Sequence, residues 1–235
     1  MHTTIHYCCN ANLHNVPQSY PEAISSVDAS EWDMAMKDEM QALEENNTFE
    51  LVPLPEGKQI IGSKWIHAIK TDKNENDHFK ARFVAKGYSQ VEGVDYQETF
   101  SPTARMNSIR VISQIAVQND LEIHQMDVKA AYLNAPIDCD VFIKQPEGFV
   151  KEKGNKNLVL KLNKSLYGLK QSGRNWNNTL DTFLKEEGFK RSLNDPCFYT
   201  RNDNTFLVHL VDDIIIAAKP CTLESVKTSL ESVSK

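Results

Sequence analysis

The stretch Leu207 to Ala218 reads LVHLVDDIIIAA, two adjacent aspartates between two apolar, β-branched runs. Runs of that kind form half-buried strands, and the polar pair between them marks a tight turn. The segment therefore commits the chain to a sheet that carries two carboxylates side by side at its edge. Like charges that close oppose each other's ionisation unless a cation lies between them, and a divalent metal with hard oxygen ligands is the natural remedy. Aspartate is also a favoured turn residue, so the pair taken alone reads first as a polar hairpin turn.

A second carboxylate stands in a matching context. Leu121 to Leu133 reads LEIHQMDVKAAYL, where Leu121, Ile123 and Gln125 alternate as in a short strand that ends at Asp127. Val128–Leu133 then takes on helical character through two alanines. An acid at a strand end and a pair at a hairpin suit the two-metal route of phosphoryl transfer, in which carboxylates hold two ions about 3.5–4 Å apart. Spacing in a sequence does not reveal whether they converge.

Composition bounds the alternatives. The 235 residues, 40% of them hydrophobic, are enough for one large domain or two small ones with a sizeable core. No apolar run approaches the roughly 20 residues needed to span a bilayer, and the first residues lack a basic-then-apolar leader. Cysteines at 8, 9, 139, 197 and 221 form neither a disulfide framework nor a zinc pattern. They point to a reducing, intracellular setting, the cytoplasm with the nucleus as the second choice.

The net charge of -6 is unevenly spread. Between Glu22 and Glu56 ten acids face only Lys37, whereas between Gly57 and Gln90 seven bases face Asp72, Glu75 and Asp77. Lys161 to Arg174 holds four bases and no acid. Such segregation builds a basic groove on an acidic body, or simply an uneven solvated surface.

Residues 1–27 lack periodicity and read as a loose tail. Ser30, in an S-x-x-D pattern, is expected to cap a helix running to Glu45, with Trp32, Met36, Met40 and Leu43 on its buried stripe. Two strand-like runs, Lys64–Lys70 and Lys80–Lys86, flank a polar link and predict a hairpin with one wet, cationic face. Further helices are expected over Ile109–Val117, around Trp176–Leu184 with Gly188 as terminator, and over Thr222–Val233. Strands and helices mix without strict alternation, which predicts the α+β class.

In this order, QMDVKAAYLNA (125–135), VFIKQPEGF (141–149), KLNKSLYGLKQSGRNW (161–176) and LVDD (210–213) resemble the reverse transcriptase of copia-type LTR retrotransposons. Residues 31–66, 79–102 and 188–199 resemble the same family, so the likeness covers roughly 18 to 235. It implies an RNA-directed DNA polymerase domain over 28–235, with fingers mainly in 50–105 and a palm mainly in 106–235. The palm would be an antiparallel sheet with helices on one face.

The resemblance also implies site residues. Asp127, Asp212 and Asp213 would be catalytic and would bind two Mg2+ ions. Tyr132, five residues after Asp127, would lie under the sugar and exclude a 2′-hydroxyl. Gly168, with Gln171 beside it, would approach nucleotide and template. Lys80, Arg82 and Lys86 are the candidates for the triphosphate, Arg82 foremost because a guanidinium grips phosphate at two points. The implied partners are an RNA or DNA template-primer, deoxynucleoside triphosphates and other parts of a retrotransposon polyprotein, with no membrane.

The sequence departs from the family pattern at Leu210, where tyrosine is usual, at Gly173 for proline and at Ala135 for glycine. Leu210 would remove a phenol facing the primer, and Gly173 would loosen a turn. Ending at Lys235, inside a helix, the chain is expected to be C-terminally incomplete, without thumb or RNase H. The alternative to a working polymerase is a catalytically silent retrotransposon remnant, at most a weak nucleic-acid-binding module.

Overall fold

The buried stripe of Trp32, Met36, Met40 and Leu43 is carried by a helix, as its spacing predicts, and that helix organises one half of the molecule. The computed structural model describes residues 16–72, 76–151 and 158–234. The tail's first fifteen residues with Cys8 and Cys9, the link residues Lys73 and Glu75, and Lys235 lie outside the described residues.

In chain order the first elements are α1 (Tyr20–Ser25), α2 (Ala29–Glu45), β1 (Phe49–Pro53), β2 (Ile60–Ile61), β3 (Ser63–Thr71) and β4 (Asp77–Ala85). Next come α3 (Met106–Asn119), β5 (Glu122–Asp127), β6 (Phe142–Ile143), β7 (Leu158–Leu162) and α4 (Ser172–Glu186). The chain continues through β8 (Lys190–Arg191), β9 (Phe198–Arg201), β10 (Thr205–His209), β11 (Asp213–Ala218) and α5 (Pro220–Glu231). The mixed, non-alternating order is that of an α+β fold.

Two expectations about the first helices need correction. Part of the presumed loose tail is ordered as α1, whose Ser19 cap accepts from the Glu22 amide and whose Ala23 is fully buried. Ser30 does not cap α2: Asp28 holds that position, and the Ser30 hydroxyl donates instead to Glu31 at 2.6 Å. The helix needs no side-chain cap because its apolar stripe is anchored in the core.

β3 and β4 form a nine-pair antiparallel hairpin in which Lys64, Ile66, Ala68 and Lys70 oppose Val84, Arg82, Lys80 and His78. Those residues share one face by strand alternation. The other face sends Trp65, His67, Ala81 and Phe83 into the first core, where Trp32 meets His67 and Phe79 edge-on at 5.0 and 4.8 Å. A four-stranded sheet of order β1-β7-β6-β2 completes that core.

The second half is a five-stranded antiparallel sheet of order β5-β11-β10-β9-β8. Tyr199, Leu207, Ile214 and Ile216 pack against Trp176, Leu180 and Leu184 of α4 and Leu223, Val226 and Leu230 of α5. Val208 and Ala217, of opposite parity, pack against Ile112 and Ala116 of α3. Helices therefore cover both faces rather than one, which explains why IIIAA is apolar at every position instead of alternating. α4 closes as predicted: Gly188 is left-handed at φ 82°, its amide donates to Lys185 and the Phe189 amide to Leu184, a Schellman pair. Gly173 lies in the first turn of this helix and not in a loop, so the freedom it adds is at a helix start, where proline is pre-organised.

Candidate functional site

The end of the five-stranded sheet gathers the aspartates. β10 and β11 are joined by the tight turn Leu210–Asp212, closed by the Leu210 amide donating to the Asp213 carbonyl at 2.8 Å. Asp213 is the direct register partner of Asp127 on β5. The Val128 amide donates to the Asp212 carbonyl at 2.8 Å, so the bond flanks the pair. Asp127 and Asp213 thus form a non-hydrogen-bonded pair, the type that brings opposing Cα atoms to about 4.5 Å with side chains on one face. The buried Trp176 indole donates to the Val211 carbonyl at 2.6 Å and fixes the turn from below.

Like charges directly across a sheet are destabilising. Among the described residues none of the three aspartates makes an ion pair, and the Asp213 carboxylate accepts only from the Gln125 side-chain amide at 2.9 Å. A set of uncompensated hard oxygen donors suits a divalent cation. Among the described residues, however, no three His, Cys, Asp or Glu side chains stand together in a metal-binding group.

Other predicted residues approach this edge. Tyr132 sits in a 3-10 turn, Ala131–Asn134, just beyond β5. Burial first, then the Asp212 charge, raises its phenol above the ordinary range. Its ring lies 4.7 Å from that of Tyr167, over which the Arg82 guanidinium stacks at 4.6 Å. Lys80 is pulled below its usual range by burial, Arg82 and Lys70, with Glu39 and Asp127 opposing. The cationic hairpin face and the acidic sheet edge are thus within electrostatic reach of each other.

The remaining expected residues lie otherwise. Gln171 is fully buried, its amide donating to the Asp95 carbonyl at 2.8 Å and accepting from Gln90 at 2.9 Å. With a bond at each end of its amide, it ties a loop to the start of α4. Lys86, just past the end of β4, lines a cavity with Tyr20, Lys64, Trp65 and Glu147. At Gly168, φ 92°, a Cβ would stand 2.1 Å from the Ala85 carbonyl, so the glycine is required where two backbone segments of the protein meet.

The bases of 161–174 do not share one groove. Lys161 pairs with Glu50 and Asp140 at 3.5 and 3.8 Å, Lys170 stacks on Tyr96, and Arg174 lines a cavity with Glu98. The sequence marks Trp176 only as part of a helix and gives Tyr167 no role. Both lie inside a recognised segment, but their partners are 85 and 35 residues away, from Arg82 to Tyr167 and from Trp176 to Val211.

Comparison with known proteins places these residues in context. Residues 46–235 match the family model described as reverse transcriptase (RNA-dependent DNA polymerase). The chain is 41% identical over 208 residues to the retrovirus-related Pol polyprotein from transposon TNT 1-94 of Nicotiana tabacum, covering 86% of this chain and 16% of that protein. It is 39% identical over 206 residues to the corresponding polyprotein from transposon RE1 of Arabidopsis thaliana, covering 86% of this chain and 14% of that one. It is 32% identical over 168 residues to the transposon Ty1-ER2 Gag-Pol polyprotein of Saccharomyces cerevisiae, covering 69% of this chain and 9% of the relative. The chain spans at most about one sixth of the length of these relatives. Among the described residues no helix is long and apolar enough to cross a membrane.

Proposed function

Since the chain belongs to the reverse transcriptase (RNA-dependent DNA polymerase) family, in its copia-type branch, we propose that it supplies the nucleotidyl-transfer site of an RNA-directed DNA polymerase. The observation that carries this reading is the Asp127–Asp213 register pair, with Asp212 beside it, at the end of a sheet. The five-stranded sheet with its helices is the palm. The β3–β4 hairpin, α1, α2 and the four-stranded sheet are the fingers, which therefore also include β6 and β7.

Asp127, Asp212 and Asp213 would hold two Mg2+ ions, and binding would draw the three carboxylates into one ligand set. The ions would activate the primer 3′-hydroxyl and steady the departing pyrophosphate. The bonds from Val128, Leu210 and Trp176 hold the backbone of the turn, so that only the carboxylate side chains would have to adjust to the ions. Tyr132 would stand beneath the sugar and exclude a 2′-hydroxyl, while Arg82 and Lys80 would hold triphosphate oxygens. The cationic hairpin face would meet the phosphates of a template-primer. As the relatives are polyproteins, association with their other parts belongs to the same proposal.

Primer extension on an RNA template, with Mg2+ and deoxynucleotides and with Asp212→Asn as the blank, tests this. Nucleotide addition by the unaltered chain that vanishes in the variant is expected. If the unaltered chain fails to add even one nucleotide, the silent remnant is the correct reading.

A further inference from the structure

Arg82 and Tyr132 come from opposite halves of the molecule, on β4 and after β5, yet Tyr167 touches both. Its position is set by backbone. The Ala85 amide, at the end of the strand that carries Arg82, donates to the Tyr167 carbonyl at 2.9 Å. Next to it the left-handed Gly168 lets the Ala85 carbonyl approach where any side chain would collide. Tyr167 is thus fixed to β4 on one side and leans on the Tyr132 ring on the other.

A guanidinium stacked by its face keeps its in-plane N–H donors available. Among the described residues Arg82 makes no ion pair, so no acid takes up those donors. Burial raises the Tyr167 phenol, Arg82 opposes this, and the nearby Asp212 charge adds to it, so the ring stays neutral. A neutral, immobile ring is what a cation–π platform needs.

We propose that Tyr167 is a positioning residue that joins Arg82 and Tyr132 into one unit, and thereby sets both triphosphate affinity and the preference for deoxy- over ribonucleotides. This rests on the nucleotide-site reading above. The arginine would be held flat for phosphate, and the Tyr132 ring would be backed so that it cannot yield to a 2′-hydroxyl. The half-buried phenol oxygen takes no part in either contact.

Equilibrium binding of dATP, ATP and dAMP in Mg2+ to the full chain tests this, with Tyr167→Leu keeping apolar bulk and Tyr167→Phe keeping the ring. Tyr167→Leu should weaken dATP binding by about fivefold, the scale of a solvent-accessible cation–π contact. It should also shrink the dATP-to-dAMP and dATP-to-ATP ratios, while Tyr167→Phe stays close to the unaltered chain. Adding Arg82→Ala to Tyr167→Leu should not reduce the dATP-to-dAMP ratio further. Equal losses for all three nucleotides, or no loss, would overturn the proposal while leaving the nucleotide site standing. An unaltered chain that binds none of the three would overturn the site and the proposal together.

Discussion

The two hairpins of this protein handle charge in opposite ways. The long β3–β4 hairpin spreads Lys64, Lys70, Lys80 and Arg82 over one face and buries the other against α2. Its bases are separated along the strands, and Lys64 and Lys70 are well exposed, so they cost little to hold. The short β10–β11 hairpin places Asp212 and Asp213 together, adds Asp127 from the neighbouring strand, and binds the turn from three directions. Unpaired like charges there oppose the fold, and the surrounding bonds and the two-sided core offset that opposition. Stability spent to hold charge in a fixed place is the mark of a site, whereas dispersed charge marks a surface.

If the short hairpin is held as described, the largest effect follows removal of the Trp176 support. Trp176→Ala should destabilise the chain by about 4 kcal/mol in denaturant melts, the scale of a large buried side chain. A loss below about 1 kcal/mol, the net worth of one ordinary hydrogen bond, would mean that the turn does not depend on it.

The next effect is pH dependence beneath the same turn. His209 is buried, and desolvation, with Arg191 adding to it, lowers its pKa to about 4. Its neutral form is favoured in the fold, so the unfolded chain binds more protons between about pH 4 and the ordinary histidine value near 6.5. Stability should therefore be complete above that range and fall by about 3 kcal/mol as pH drops through it. His67, lowered mainly by burial, adds a smaller step in the same direction. His209→Asn should flatten most of the slope; an unchanged slope would reassign it.

A smaller effect sharpens the contrast between the hairpins. Without divalent metal, Asp127→Asn should stabilise the fold by up to about 1 kcal/mol by relieving the pair with Asp213. Lys70→Ala should change stability by no more than about 0.5 kcal/mol. It should instead weaken nucleic-acid binding and flatten its salt dependence. Equal stability effects from the two variants would erase the distinction.

Much of this was legible in the sequence. The α2 stripe, the cationic hairpin, the α4 stop at Gly188 and the strand-end position of Asp127 follow from local periodicity and turn chemistry. What was not legible depends on distant partners. Gln171 reads as a polar side chain beside a site, and only contact with Gln90 and the Asp95 carbonyl reveals it as an internal tie. Lys161, Lys170 and Arg174 read as one basic run, yet each turns to a different neighbour. The helix on the second face of the sheet was visible in principle, because a strand apolar at every position has two faces to bury.

The central claim is that Asp127, Asp212 and Asp213 act together as a divalent-metal site. Titration with Mn2+ in the presence of dATP, reading the free ion by electron paramagnetic resonance, tests it directly. Binding of two ions per chain is expected, as in two-metal transfer, with binding lost in the double variant Asp127→Asn with Asp213→Asn. Undiminished Mn2+ binding by that variant, or none by the unaltered chain, would contradict the account.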